Sequence, residues 1–175
     1  SEEQKERWLD DLYAVRKTGV LAITEPEAGS DVAQGMRTTA KKVDGGWVLN
    51  GAKRWIGNAT FSDYVAVYAR DPENEQVKGF IVDTSTEGYS ATLMKNRIAI
   101  RAVQNADIVL DNVFVPDDCK LEHANSFKDL YKVFKSARST VGWQAVGTQM
   151  GALDVALDYV DKRKQFGKKL SLIHI

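Results

Sequence analysis

Two stretches carry residue types that could hold a ligand: Thr24-Glu25-Pro26-Glu27-Ala28-Gly29-Ser30-Asp31 and, about two dozen residues later, Arg54-Trp55-Ile56-Gly57-Asn58. The first leaves an apolar run, Val20-Leu21-Ala22-Ile23, and enters a turn. Pro26 fixes its own φ there and Gly29 permits a positive φ, so backbone amides and the hydroxyls of Thr24 and Ser30 can converge on one group. The second places a flat indole, Trp55, on a strand ending in a small residue. One element suits the polar edge and phosphates of a ring cofactor, and the other suits its face. Each also has a plainer reading, because a Gly-Ser-Asp turn is an ordinary strand connection and a strand tryptophan usually packs in a core.

The remaining inventory narrows the chemistry. The single cysteine, Cys119, rules out an internal disulfide, and with only His123 and His174 beside it there is no metal-ligand set at workable spacing. No Ser-His-Asp or Cys-His set is present either, and Cys119 and His123 read as structural bystanders. The 24 basic and 24 acidic residues cancel, which gives no hint of nucleic acid. No apolar run approaches the roughly 20 residues of a membrane helix. The acidic start, Ser1-Glu2-Glu3-Gln4-Lys5-Glu6, is unlike a signal or transit peptide, so the chain reads as soluble and intracellular, or as a fragment whose address is missing. A length of 175 residues at 43% hydrophobic content allows one domain, or a domain with parts of its neighbours.

Stepping along the chain, residues 2–17 set Trp8, Leu9, Leu12, Tyr13 and Val15 among charges at helical spacing, as in the last helix of an upstream unit. From about 20 to 118 short apolar runs alternate with turn residues, which predicts a β domain. Val43-Asp44-Gly45-Gly46-Trp47 and Asn50-Gly51 read as hairpin turns that bring Trp47 and Trp55 into one small sheet. Further strands are expected at 63–70, 79–83, 91–100 and 107–115. Asp71-Pro72-Glu73-Asn74, Glu87-Gly88 and Asp111-Asn112 serve as turns, and Pro116-Asp117-Asp118 closes the series. After Ser126 the apolar period becomes three to four with no proline through Lys168, which predicts one long helix or a helical pair. Gly142, Gly147, Gly151 and Ala152 leave room there for close neighbours in a bundle. The division is therefore 1–18, the end of a helical domain; 19–120, a middle β domain; and 121–175, the start of a helical bundle. The fold class is α+β, an antiparallel β domain flanked by parts of two helical domains and cut at both ends.

With Asn112-Val113-Phe114-Val115-Pro116 and Arg163-Lys164-Gln165-Phe166-Gly167 following in order, the two opening motifs resemble those of the acyl-CoA dehydrogenase/oxidase superfamily over nearly the whole chain. Lys53 to Phe61, Val103 to Ile108 and Trp143-Gln144 look most like the short-chain acyl-CoA oxidases of peroxisomes, with glutaryl-CoA dehydrogenases as the nearest rivals. The resemblance implies an FAD-dependent, homotetrameric enzyme of fatty acid β-oxidation that converts an acyl-CoA to its trans-2-enoyl-CoA. Dioxygen is then the acceptor in a peroxisome, or electron-transfer flavoprotein in the mitochondrial matrix.

By the same resemblance Leu21, Ile23, Thr24, Gly29 and Ser30 line the isoalloxazine and pyrophosphate. Thr24 takes the pyrimidine edge, and Ser30 stands where cofactor phosphate and substrate meet. Trp55, Ile56 and Gly57 cover the ring near N5. Arg138 approaches the CoA moiety, while Arg163, Gln165 and Phe166 reach the FAD of a neighbouring subunit. Taken alone, Arg163 reads as a solvated charge and Arg138 as a stem that packs and caps a helix carbonyl.

Departures from the family pattern carry information too. Dehydrogenases commonly set Thr or Ser at the position of Gly57; the glycine loses a hydrogen bond worth ~1 kcal/mol net and opens space for dioxygen. The acidic residue and threonine that often accompany the CoA arginine are Lys135 and Ala137 here. The resemblance puts the catalytic glutamate downstream of residue 167, so no residue of this chain is assigned a catalytic role. Ser171 to Ile175 fits the family poorly. From another functional class, a β unit that binds flavin or CoA without a base remains the competing reading.

Overall fold

The computed structural model describes residues 1–172, so the last three residues of the Ser171–Ile175 stretch lie outside the described residues. Two compact units divide the chain, Ser1–Leu130 and Tyr131–Ile175.

The first unit opens with α1 (Glu2–Tyr13), capped reciprocally by Ser1 and Gln4. The helix stops short of residue 17 because Val15 takes φ 54°, which breaks the ladder. Trp8 is its buried residue, and the Gln4 amide donates to the carbonyls of Asp118 (3.1 Å) and Lys120 (2.7 Å), tying the helix to the segment that leaves the sheet.

Seven strands follow: β1 (Gly19–Ala22), β2 (Thr39–Val43), β3 (Gly46–Gly57), β4 (Tyr64–Arg70), β5 (Val77–Asp83), β6 (Tyr89–Leu93) and β7 (Asn105–Pro116), with a short α2 (Val32–Gly35) between β1 and β2. Their order is β1-β4-β2-β3-β7-β6, with β5 beside β4. The sheet is mixed rather than antiparallel throughout: β1 runs parallel to β4 from Gly19↔Tyr64 to Ala22↔Val67, and β2 meets β4 in parallel at Thr39↔Arg70. The segment between β1 and β4 contains the β2–β3 hairpin and is long enough to return the chain in the same direction. Leu49, Val65, Val67, Phe80, Ile108 and Val113 fill the core, with Trp47 tilted on Phe80 at 5.4 Å between centroids.

Two of the expected turns are bulges. β3 runs unbroken through Asn50-Gly51 to Gly57, and β7 runs through Asp111-Asn112. Where Leu49 pairs with Val113 and Gly51 with Leu110, Asn50 alone faces two residues of β7, and Asn112 absorbs the extra one at φ 53°. Asn-type residues tolerate the left-handed region in a bulge as readily as in a turn. β6 ends at Leu93 instead of reaching residue 100, because Asn96 (φ 61°) and Ile100 (φ 48°) leave the extended region.

In the second unit, α3 (Phe127–Lys162) is one long helix, as the apolar period after Ser126 predicts, and it ends before Arg163 although no proline stops it. Its first turn, with buried Leu130, belongs to the first unit. Lys164–Gln165 (β8) and Lys168–Lys169 (β9) form a hairpin whose two central residues, Phe166 (φ 49°) and Gly167 (φ 79°), both have positive φ, as a type I′ turn requires. Within this unit α3 leaves Val141, Trp143, Met150, Val155 and Leu157 exposed.

Gly51 gives a test of this register. At φ 147° its Cβ would lie 2.7 Å from Thr38 Cα, so Gly51→Ala is expected to cost about 1–3 kcal/mol, read as a lowered urea midpoint at unchanged m-value.

Candidate functional site

The two motifs meet through a buried ion pair. Lys53 on β3 is fully buried, and its ammonium donates to the Ile23 carbonyl (3.1 Å) and to Glu25 Oε1 (2.8 Å). Glu25 also accepts the backbone N–H groups of Thr38 (3.0 Å, Oε1) and Arg37 (2.6 Å, Oε2), so both carboxylate oxygens are satisfied. Next along β3, the Arg54 N–H donates to the Thr24 carbonyl at 2.8 Å. Residues 53 and 54 thus hold 23, 24 and 25 in one clamp. Burial pushes the Lys53 pKa down to about 8, with Glu25 recovering part of the loss. Burial opposes ionisation of Glu25, yet Lys53 and the two amides outweigh it and hold the carboxyl below its ordinary value.

A second bulge presents Trp55. Lys53 pairs with Ile108 and Ile56 with Ala106, so Arg54 and Trp55 together face the single residue Asp107. Strict alternation would put Lys53 and Trp55 on one face; the bulge, with Trp55 at φ 63°, sends Lys53 and Ile56 inward and leaves the indole 53% exposed. Arg54 lies over that ring at 5.5 Å and pairs with Asp107 Oδ1 at 3.5 Å. Trp47 and Trp55 share β3 but differ in exposure, since Trp47 is core.

The turn after β1 closes through reciprocal backbone bonds between Glu25 and Ala28 and leads into α2. Gly29 does not use a positive φ; its value is openness, since a Cβ there would meet nothing within 4 Å. Arg70 on β4 donates to the carbonyls of Ala33, Gln34 and Met36, fixing the end of α2 and the chain that returns to Thr38.

Leu21, Gly29, Ser30 and Trp55 are exposed and Thr24 half-buried, so these can meet a ligand. Ile23 and Ile56 are buried, which leaves only their backbones for that purpose and corrects any side-chain role. Gly57 is not beside open space: a Cβ there would lie 3.0 Å from Val103 Cγ1 and 3.6 Å from Asn105 Oδ1. The Gln104 N–H donates to Asn58 Oδ1, and the Asn58 N–H to the Gln104 carbonyl, latching that loop to the corner after β3. In the second unit, Arg138 donates to the Tyr131 hydroxyl at 3.1 Å and lies over its ring, rather than capping a carbonyl. Arg163 is exposed, Gln165 half-buried and Phe166 98% exposed on the hairpin.

Glu25, Lys53 and Val103 lie within the sequence motifs but carried no assigned role there, and Arg70 lies outside them. The available signal was Lys53 itself, a charge on an otherwise apolar strand face that must find a partner once buried.

Residues 20–113 match the family model of the acyl-CoA dehydrogenase middle domain, and the chain belongs to that family. Among curated relatives, the CarC subunit of the caffeyl-CoA reductase-Etf complex of Acetobacterium woodii is 35% identical over 98% of this chain and 46% of its own length. Mitochondrial isovaleryl-CoA dehydrogenase of Arabidopsis thaliana is 33% identical over 94% and 41%. Among solved structures, glutaryl-CoA dehydrogenase of Mycobacterium smegmatis is 36% identical with a TM-score of 0.94, over 99% of this chain and 44% of that one. A second structure of a glutaryl-CoA dehydrogenase from that organism, in complex with FADH2, is 34% identical at the same TM-score and coverage. The chain thus spans less than half the length of these relatives.

The clamp makes two stability predictions. Lys53→Met strands a buried carboxylate and should cost about 3–5 kcal/mol, whereas Glu25→Gln with Lys53→Met should cost less. In the wild type, the stability owed to Glu25 is whole above its ordinary value of 4.5 and drains away as pH falls below it. That owed to Lys53 rises from pH 8 to 10.5, where the unfolded chain still holds a proton the folded chain has shed. Urea midpoints of wild type minus double variant, across pH, should show both slopes.

Proposed function

We propose that this chain is the central part of an FAD-dependent enzyme that removes hydrogen from the α and β carbons of an acyl-CoA, leaving a trans-2-enoyl-CoA. The observation that carries this reading is the clamp, which joins an open turn bearing Thr24, Gly29 and Ser30 to an exposed indole held out by a bulge. The FADH2 complex of the glutaryl-CoA dehydrogenase supports the choice of cofactor. The residues suit such a group: Thr24 offers a hydroxyl to a pyrimidine edge, Gly29 admits close approach of phosphate to backbone, and Trp55 offers a face. The flavin, when bound, supplies the acceptor for the β-hydride. The chain's own residues orient it and shield one side from water. Arg138, in the second unit, offers its guanidinium to CoA phosphate. Arg163, Gln165 and the almost fully exposed Phe166 stand at or beside a hairpin suited to reach another subunit, which supports the homotetramer that the family resemblance implies.

For the electron acceptor, the reading we favour is an electron-transfer flavoprotein. A relative named as part of an Etf complex supports it, and so does Val103, whose Cγ1 stands where a side chain at residue 57 would go, so that the glycine opens no space on that side. The oxidase reading retains the sequence of residues 53–61 and Gly57 itself. Stopped-flow reoxidation separates the two acceptors, and the choice between mitochondrial matrix and peroxisome is left to fractionation of cells that make the whole protein. In the whole protein the flavin should co-purify, bleach with a short acyl-CoA, persist reduced in air and reoxidise quickly with the carrier flavoprotein in stopped flow. Rapid reoxidation in air with release of hydrogen peroxide establishes the oxidase instead, and flavin that acyl-CoA fails to bleach refutes the reading. Arg163→Ala should lower flavin occupancy, and unchanged occupancy would mark it as a surface charge.

A further inference from the structure

We propose that Lys53 is a positioning residue for the flavin: reaching from β3 to the Ile23 carbonyl and the Glu25 carboxylate, it fixes Thr24 between them and sets how the ring is held. This rests on the reading of residues 21–30 and 55–57 as the FAD site. Three consecutive residues of the turn are gripped by two consecutive residues of β3, through Lys53 to Ile23 (3.1 Å), Lys53 to Glu25 (2.8 Å) and Arg54 N–H to the Thr24 carbonyl (2.8 Å). With its flanking residues and its own carbonyl tied, the Thr24 backbone is fixed, so its hydroxyl is confined to the few directions that the χ1 rotamers of a threonine allow before any ligand arrives. Trp55 follows immediately on the same strand. Its place therefore depends on the same anchor, and the polar contact and the stacking face are held in one fixed relation.

A fully buried lysine is a costly way to hold two strands together, since an apolar side chain of that volume would fill the core as well. What the apolar side chain cannot do is donate to the Ile23 carbonyl and to Glu25 at once. Glu25 is the charged group that faces Lys53. From the segment ahead of β2 come the amides of Arg37 and Thr38, which go to Glu25, and opposite on β7 stands Ile108.

A merely structural pair and a positioning pair differ in one readout: whether FAD affinity follows the stability of the apoprotein. The test uses the whole protein stripped of flavin, with FAD affinity measured by fluorescence titration and stability by urea denaturation. The variants are Lys53→Met and the charge-neutral Glu25→Gln/Lys53→Met. The double variant should lose less apoprotein stability than Lys53→Met and yet bind FAD about tenfold more weakly, or worse.

Wild-type protein adds an arm that needs no variant. Between about pH 7 and 9.5, loss of the Lys53 proton should weaken FAD binding roughly threefold while apoprotein stability rises, so the two readouts move in opposite directions. The double variant should lack both trends. Affinity in the double variant equal to wild type overturns the proposal, as does a wild-type affinity that stays flat across the pH range in which apoprotein stability rises, the latter even if both variants fail to fold. A wild-type apoprotein that binds no FAD removes the flavin reading and this inference with it. The rise of stability with pH would still be measurable, which tells that failure apart from a failure of Lys53 alone.

Discussion

The contact between Lys53 and Glu25 is the constraint from which the rest of the first unit's candidate ligand face follows. Its existence is first a matter of backbone accounting. The turn after β1 and the chain arriving at β2 bring the amides of Arg37 and Thr38 into the interior, where an unmatched N–H costs about as much as a lost hydrogen bond. Glu25 answers both. A buried carboxylate then needs a cation, and Lys53 supplies one while using a second proton on Ile23. Each buried polar group is thus required by the one before it, and the sequence of requirements ends with every hydrogen-bonding oxygen of Glu25 occupied. Breaking it at any point leaves a charge in the core, whereas replacing all of it by apolar groups would leave two amides without acceptors.

The bulge at Arg54-Trp55 depends on that arrangement. A strand has period two, so an inward Lys53 would carry an inward Trp55 unless one residue were inserted. Two residues facing Asp107 supply the insertion, and the strand resumes with Ile56 inward beside Ala106. The ion pair and the exposed indole are therefore two consequences of one register. Gly51, three residues before the second bulge, permits the close approach of Thr38 that brings the Arg37 and Thr38 amides within reach of Glu25.

Much of the sheet was legible from local signals. Val43 to Trp47 is a hairpin with Gly45 at φ 72°, Asp71 to Asn74 turns β4 into β5, and the expected strand at 63–70 forms at 64–70. Asn50-Gly51 and Asp111-Asn112 misled because a positive φ is demanded equally by a turn and by a bulge, and only the partner strand tells which. Phe166-Gly167 carried a turn signal that the absence of proline after Ser126 masked, and there two positive φ values closed a hairpin. The parallel neighbour of β1 had no local signal, since Val20 to Ala22 would read the same beside a strand of either direction. Of the candidate site residues, Thr24, Gly29, Ser30 and Trp55 were legible as types in a pattern. Glu25 and Lys53 were not, because their role lies in each other.

That mutual dependence bears on how such a site can exist at all. Glu25 and Lys53 are 28 residues apart, and Asn58 and Gln104 are 46 apart. Neither pair gains anything until β3 has found β7 and β1 has found β4, because the entropy of closing those loops must be met before the contacts can repay it. The polar face is consequently only as well defined as the sheet beneath it. Loosening the core at Phe80 or Leu49 would blur the direction of Thr24 without touching it. The exposed turn at Gly29 and Ser30 carries less of that burden, since the bonds between Glu25 and Ala28 that close it span three residues, and only the end of α2 beyond it waits for Arg70 from β4. A ligand that touched both regions would therefore meet one rigid contact and one that can adjust, which favours a fixed ring and a more tolerant grip on its phosphates.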